Sequence, residues 1–250
     1  MILSREQYRY FLKDSVRLAI DFDQTDQSKG LAPPPIEKPF GVDSRRIDLI
    51  YPDQWKTLLN IGLLAAIKSR KSHRQFTSES LTLEEISFLL WTTQGIREKT
   101  GGNTAFRTVP SAGCRHALET YLCVLNVTGL EQGIYRYLPL EHQLLVVSQQ
   151  KNLSAQITAA ALHQTFVGKS AVTFLWTTIP YRMEWRYDIA AHKVIALDAG
   201  HICQNLYLSC AAIKAGTCAV AAYNQDLMDS LLGVDGEDEF TIYLAPVGKI

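Results

Sequence analysis

The sequence predicts an α+β fold, with helices packed on a mixed or antiparallel sheet. Three observations predict it. Residues 133–137 and 143–147 are two apolar, β-rich runs with Pro139 between them, and they read as an antiparallel pair. Further strands at 120–127, 170–178, 218–222 and 240–244 are interleaved with segments of helical periodicity. No clean βαβ rhythm links them, which argues against a doubly wound sheet. A chain of 250 residues, 47% hydrophobic, can bury a substantial core.

Taken in order, residues 4–22 read as a helix capped by Ser4, with Tyr8, Phe11, Leu12, Val16 and Ile20 at helical spacing. Residues 23–54 contain Pro33, Pro34 and Pro35 and read as an extended arm. Such an arm needs a surface to lie on, and a second subunit can supply it. Residues 55–68 read as a helix that is apolar over much of its circumference, which predicts deep burial. Thr82 to Glu85 is a capping-box pattern opening a helix that Gly95 ends.

Residues 97–110, with Gly101, Gly102 and Asn103, read as a polar loop, followed by a turn and a short helix around 110–119. Asn152 or Ser154 caps a helix reaching His163, and Pro180 starts another whose end falls near His192. Residues 198–215 form the strongest helical pattern, closed by Gly216, and 225–232 form the last helix. The expected organisation is an N-terminal helix and arm over 1–59 and a folded domain over 60–250.

Composition excludes several classes of function. Lys plus Arg and Asp plus Glu both number 25, so the net charge is zero, unlike a general nucleic-acid binder. The five cysteines are odd in number and form no C-x-x-C pair, which predicts reduced thiols and a cytoplasmic protein. The start does not read as a signal peptide, and no apolar run reaches the length of a membrane span. Glycine-rich nucleotide signatures and the G-x-S-x-G elbow are absent. His201 and Cys203 lie two apart on a helix and point to different faces, so no metal site is expected there. Cys114 and His116 make a weak nucleophile–base pair, because neighbours at that spacing rarely meet.

The chemistry concentrates at residues 69–76, where Arg70, Lys71, Ser72, His73, Arg74 and Phe76 follow an apolar run. A basic run is most often a solvated surface. Arginine forks with a hydroxyl also suit a phosphate. Arg70-x-Ser72-x-Arg74-x-Phe76 resembles the phosphate-binding motif of the FMN-dependent nitroreductase superfamily. Residues 89–96, 107–113, 118–121, 133–137, 197–206 and 246–248 extend the resemblance, in the family's order, to its SagB/ThcOx-type dehydrogenase branch.

The resemblance implies a nitroreductase-like sandwich and an intertwined homodimer with FMN at the subunit interface. It implies that Arg70, Ser72 and Arg74 hold the FMN phosphate and ribityl chain, with a late contact from Lys249. Pro110, Ser111, Ala112 and Gly113 would approach the ring system from the partner subunit. The turn Ala221, Ala222, Tyr223 would direct a backbone amide at flavin N5, favouring hydride acceptance. Azoline-oxidising members carry a Lys-Tyr pair ahead of the 198–215 helix, thought to assist substrate deprotonation. Arg186 and Tyr187 stand there in this chain, and an arginine is a poor base. Tyr187 is then the candidate acid–base residue, with Arg186 beside it.

The implied activity is that of an FMN-dependent oxidoreductase passing hydride through flavin N5. NAD(P)H is a candidate electron donor, and the substrate is an azoline in a modified peptide or a small nitro or quinone compound. The alternative is a non-catalytic flavin-binding or scaffold subunit of a biosynthetic complex.

Overall fold

The computed structural model describes residues 4–100 and 104–250; the expected glycine-containing tip at 101–103 lies outside them. The helices are α1 (Arg5–Leu12), α2 (Leu63–Ser69), α3 (Leu83–Gln94), α4 (Leu153–Ala160), α5 (Tyr181–Tyr187), α6 (Ala191–Cys210) and α7 (Gln225–Leu232). The strands are β1 (Arg46–Asp48), β2 (Leu81–Thr82), β3 (Ile96–Thr100), β4 (Thr104–Arg107), β5 (Leu118–Val124) and β6 (Val127–Thr128). They continue with β7 (Gly133–Leu138), β8 (Gln143–Ser148), β9 (Val172–Thr178), β10 (Ala215–Thr217) and β11 (Phe240–Lys249).

Seven strands form one sheet in the order β1-β8-β7-β5-β9-β11-β10, and every neighbouring pair is antiparallel. One apolar cluster joins the sheet to α3 and α6, through Ile86, Leu90, Trp176, Ile202 and Leu206. A second joins it to α4 and α7, through Tyr121, Ile157, Leu175 and Met228. The α+β expectation therefore holds, as a central sheet with helices on both faces.

Several elements follow their local signals. The Thr82 hydroxyl accepts from the Glu85 amide, and the Glu85 carboxylate accepts from the Thr82 amide, so the predicted capping box opens α3. At α7 the Asn224 side chain accepts from the Leu227 amide (3.0 Å), a single-bond cap.

Others differ. The first helix stops at Leu12 and gives way to a 3₁₀ turn at Asp14–Ala19. Residues 96–100 and 104–107 are not loop, because β3 and β4 pair antiparallel. No α-helix forms over residues 110–119; a single 3₁₀ turn, Ala112–Cys114, leads into β5. The long helix begins at Ala191, seven residues before the expected start, because the backbone breaks at Asp188 (φ 49°). Val220 makes only an isolated bridge to Leu244, so the strand expected at 218–222 is displaced to β10.

The arm is also placed differently from expectation. It lies on its own chain, gripped by buried arginines. Arg107 donates to the Ile36 carbonyl (2.7 Å), Arg115 to Pro34 (3.5 Å) and Arg136 to Lys38 (2.8 Å). The Lys38 amide donates to Glu119, which forms a buried ion pair with Arg182 (2.6 Å). Burial alone would raise the Glu119 carboxyl, but Arg182, Arg136 and Arg107 hold it below the usual range.

The helix expected to be deeply buried is short and open. Of α2 only Ala66 is buried, and Leu63 (67%), Leu64 (66%) and Ile67 (53%) face outward.

Candidate functional site

The basic segment runs along the β10 edge of the sheet. Ser72 bridges Thr217 in parallel register, the His73 amide donates to the Thr217 carbonyl (2.9 Å), and the Thr77 amide donates to Lys249 (2.9 Å). Two glycines permit this close approach. A Cβ on Gly216 would fall 2.6 Å from the His73 ring, and one on Gly248 would fall 2.8 Å from Phe76. The His73 imidazole is pushed below its ordinary pKa by burial and by Lys71, which favours the neutral ring.

Arg70 stacks over the Tyr207 ring (5.3 Å) and Arg74 over Phe166 (5.9 Å), and neither guanidinium meets a carboxylate among the described residues. The Ser72 and Tyr207 hydroxyls are 2.9 Å apart, and Tyr207 also accepts from the Ala219 amide (2.8 Å). A hollow of about 90 Å³ opens among Arg70, Lys71, His73, Tyr207 and Gly216. The structure thus places Arg70 and Ser72 together at one end of α6, with Tyr207 as a member that sequence reading missed. Its only signal was a tyrosine on the apolar face of the best helix.

Lys249 does not join them. Its ammonium is turned inward, donating to Glu85 (2.5 Å) and to the Ile213 carbonyl (2.7 Å). The phosphate contact expected from its place in the sequence is therefore replaced by a buried ion pair.

From Tyr207 the chain passes through Ala219 to Ala221, Ala222 and Tyr223. Ala221 lines an apolar cleft of about 490 Å³ with Ile195, Gly200, Phe240, Ile242 and Tyr243. Tyr223 is fixed by its hydroxyl donating to Thr241 (2.7 Å), and the Ala222 carbonyl accepts from Gln164 (2.8 Å).

The remaining predicted residues gather elsewhere. Pro110, Ser111, Ala112 and Gly113 form the turn before β5, and Gly113 is left-handed (φ 58°). A Cβ there would lie 2.6 Å from the Tyr187 hydroxyl and 2.9 Å from the Arg186 side chain. The turn and the Arg186–Tyr187 pair are thus in contact. Arg186 also lies over the Tyr187 ring (5.6 Å). Asp198 of α6 receives Ser111 and the Ala112 amide; burial nonetheless pushes its carboxyl up, and one of its oxygens has no partner.

Cys114 and His116 do meet, at 3.5 Å, because Gly113, Cys114 and His116 all take positive φ. The pair is not activated. The thiol donates to the Ala105 carbonyl and is pushed up by burial. Burial and Arg107, Arg115 and Arg182 hold His116 neutral, down to about 2. Among the described residues no group of three His, Cys, Asp or Glu side chains is placed to hold a metal ion. No helix among them is long and apolar enough to cross a membrane.

The two groups of predicted residues occupy different faces of α6. Gly200 lines the apolar cleft, whereas Asp198, two residues and about 200° away, faces the Ser111 turn. Between them runs an exposed stripe containing Leu197 (55%), His201 and Gln204.

The nitroreductase family model matches residues 67–249. A protein of Methanocaldococcus jannaschii assigned as a nitroreductase is 30% identical over 189 residues, covering 76% of this chain and 91% of that one. The indigoidine synthase of Dickeya dadantii is 27% identical over 77% of this chain, which spans only 12% of that longer protein. Among solved structures, a nitroreductase from Ralstonia eutropha superposes with a TM-score of 0.68 at 25% identity, covering 88% of this chain and 94% of that one. The Escherichia coli microcin synthetase McbBCD complex with truncated pro-MccB17 bound contains a chain of the same fold. It superposes with a TM-score of 0.61 at 19% identity, over 100% of this chain and 98% of that one. The chain therefore belongs to the nitroreductase family of oxidoreductases.

Proposed function

We propose that this chain is an FMN-dependent oxidoreductase of the SagB type, working as a homodimer. The observation that carries the reading is the pair of arginines, Arg70 and Arg74, flanking Ser72 along the β10 edge without a carboxylate partner among the described residues. These residues fit FMN. Two guanidinium groups without carboxylate partners and a hydroxyl suit its phosphate. The cleft beside Ala221 suits an apolar ring system, and small residues there let backbone groups come close. FMN, when bound, supplies the hydride transfer.

The separation of the predicted residues by α6 supports the dimer. A second copy covering the exposed stripe and the open face of α2 would bring its Pro110–Gly113 turn towards the first copy's cleft. Leu63, Leu64, Ile67 and Leu197 supply the apolar surface for that contact. Tyr187 then serves as the acid–base residue, and Arg186 fixes its ring and the adjacent charge. The substrate is an azoline in a modified peptide or a small nitro or quinone compound; the resemblance to the SagB/ThcOx-type branch supports the first. Where a separate reductant is used, a nicotinamide nucleotide supplies the electrons.

Purified protein is expected to be yellow with one FMN per chain. Arg70→Ala with Arg74→Ala removes two charge-assisted contacts, which weakens FMN binding by about two to four orders of magnitude while the fold persists. Unchanged flavin content in that variant would overturn the site. A wild-type protein that cannot be loaded with FMN would overturn the whole reading.

A further inference from the structure

The apolar cleft beside Ala221 has a wall from outside the family-matched region. Phe11, on α1, lines it together with Ile242 and Tyr243, whereas the match to the family begins at residue 67. The helix that carries Phe11 is unusual in this chain. It has a complete capping box from Ser4 and Gln7, yet none of its residues is buried. Phe11 itself is 44% exposed and Tyr8, one turn earlier, is 59% exposed. An eight-residue helix is marginal in water without packing, so this one gains from any group that covers its apolar side.

Its base, by contrast, is anchored. The 3₁₀ turn at Asp14–Ala19 packs against Asp188–Ala190, directly after the Arg186–Tyr187 pair. The Gln27 amide donates to the Trp185 carbonyl (2.9 Å) and Tyr181 donates to Asp26 (2.8 Å). A loosely packed helix on a fixed base, with one aromatic ring over a cleft, has the construction of a lid.

The cleft also has a defined chemistry. Aromatic rings of Phe11, Phe240 and Tyr243 surround it. Among the described residues its one ionisable rim group besides Tyr243 is His192, which is occupied by Glu184 at 2.7 Å. No lysine, arginine, aspartate or glutamate among the described residues lines it to neutralise a charged ligand. About 490 Å³ falls within the range of small-molecule sites.

We propose that α1 is the lid of this cleft, which the flavin ring and the substrate share, and that Phe11 selects an uncharged, planar substrate ring as the group it closes upon. This rests on the oxidoreductase reading above and specifies the substrate class: a neutral heterocycle rather than an anion.

The test uses FMN-loaded full-length protein and two probes, neutral 2-phenylthiazole and anionic 2-phenylthiazole-4-carboxylate. Calorimetric titration should give at least tenfold tighter binding of the neutral probe. Phe11→Ala should weaken it about three- to tenfold, the worth of one aromatic contact. Leu18→Ala, a change at a 90% exposed side chain of the same segment, should bind as the wild type does. Saturating neutral probe should slow tryptic cleavage after Arg9 and Lys13 severalfold in the wild type and not in Phe11→Ala. Equal affinities for wild type and Phe11→Ala, equal affinities for the two probes, or no protection from trypsin would each overturn the lid. Flavin content is measured on the same samples. A protein without FMN defeats the oxidoreductase reading, while the probe titration and proteolysis still decide the lid.

Discussion

The hydroxyls of Ser72 and Tyr207 lie 2.9 Å apart, linking the basic segment to the helix that crosses beneath it. Tyr207 thereby does three things at once: it orients Ser72, accepts from the Ala219 amide and stacks under Arg70. Removing its hydroxyl leaves the stacking and deletes both polar contacts. Tyr207→Phe is expected to weaken FMN binding about five- to tenfold, near the worth of one hydrogen bond. Fluorescence titration of stripped protein with FMN measures it, and an unchanged Kd would show that Ser72 needs no such support.

Lys249 makes a contrasting case. Its ammonium and the Glu85 carboxylate form a largely buried pair, and Glu85 also completes the α3 capping box. Truncating the lysine strands a carboxylate away from water, which typically costs about 3–5 kcal/mol. Lys249→Met should therefore lower thermal stability severely while FMN affinity, measured below the new melting temperature, stays within about twofold of wild type. A selective loss of FMN affinity with intact stability would return Lys249 to the phosphate.

Glu37 ties the arm to the sheet in a pH-dependent way. Burial raises its pKa to about 7, the Leu140 amide opposes the shift, and Glu141 and Glu119 add to it. The folded state then binds more protons than the unfolded one between about pH 4.5 and 7, so stability falls as pH rises through that window. The loss reaches at most about 3 kcal/mol by pH 8. Glu37→Gln keeps an acceptor for the Leu140 amide and carries no charge. Its melting temperature should fall less than that of wild type between pH 5 and pH 8, and parallel curves would refute the assignment.

The features legible in the sequence are those with local causes. The capping box at Thr82 and Glu85, the helix over 225–232 and the β7–β8 pair each depend on a few neighbouring residues. The early start of α6 was hidden because the break at Asp188 uses neither glycine nor proline. The strands β3 and β4 were hidden because Arg97, Glu98 and Lys99 read as a polar loop. The docking of the arm depends on Arg107, Arg115 and Arg136, which stand about 70 to 100 positions away from the carbonyls they hold. Of the site, the basic segment was visible in the spacing of Arg70, Ser72 and Arg74. The division of its other members by α6 was not, since it exists only once that helix has packed.

The outward face of α2 carries the dimer prediction. Leu64 and Ile67 are three apart on one short helix and more than half exposed. Glutamate at both positions leaves the monomer's core untouched but puts charge into the proposed contact. Leu64→Glu with Ile67→Glu should convert the protein to a folded monomer by sedimentation and reduce FMN retention with it. A variant that remains dimeric would place the contact elsewhere.

Gly113 joins the turn before β5 to the proposed acid–base pair. Its φ of 58° is left-handed, and an added Cβ would meet the Tyr187 hydroxyl and the Arg186 side chain below 3 Å. Gly113→Ala combines a left-handed alanine, costing about 1–2 kcal/mol, with displacement of the two side chains most suspected of chemistry. Tyr187→Phe leaves the backbone alone and removes only the proton-bearing hydroxyl. If Tyr187 transfers a proton, Tyr187→Phe should lower kcat about 10²- to 10⁴-fold with flavin content and melting temperature unchanged. Gly113→Ala should lower both kcat and stability. Equal kcat for wild type and Tyr187→Phe would leave the tyrosine as a wall of the site, and the loss in Gly113→Ala would then be one of packing.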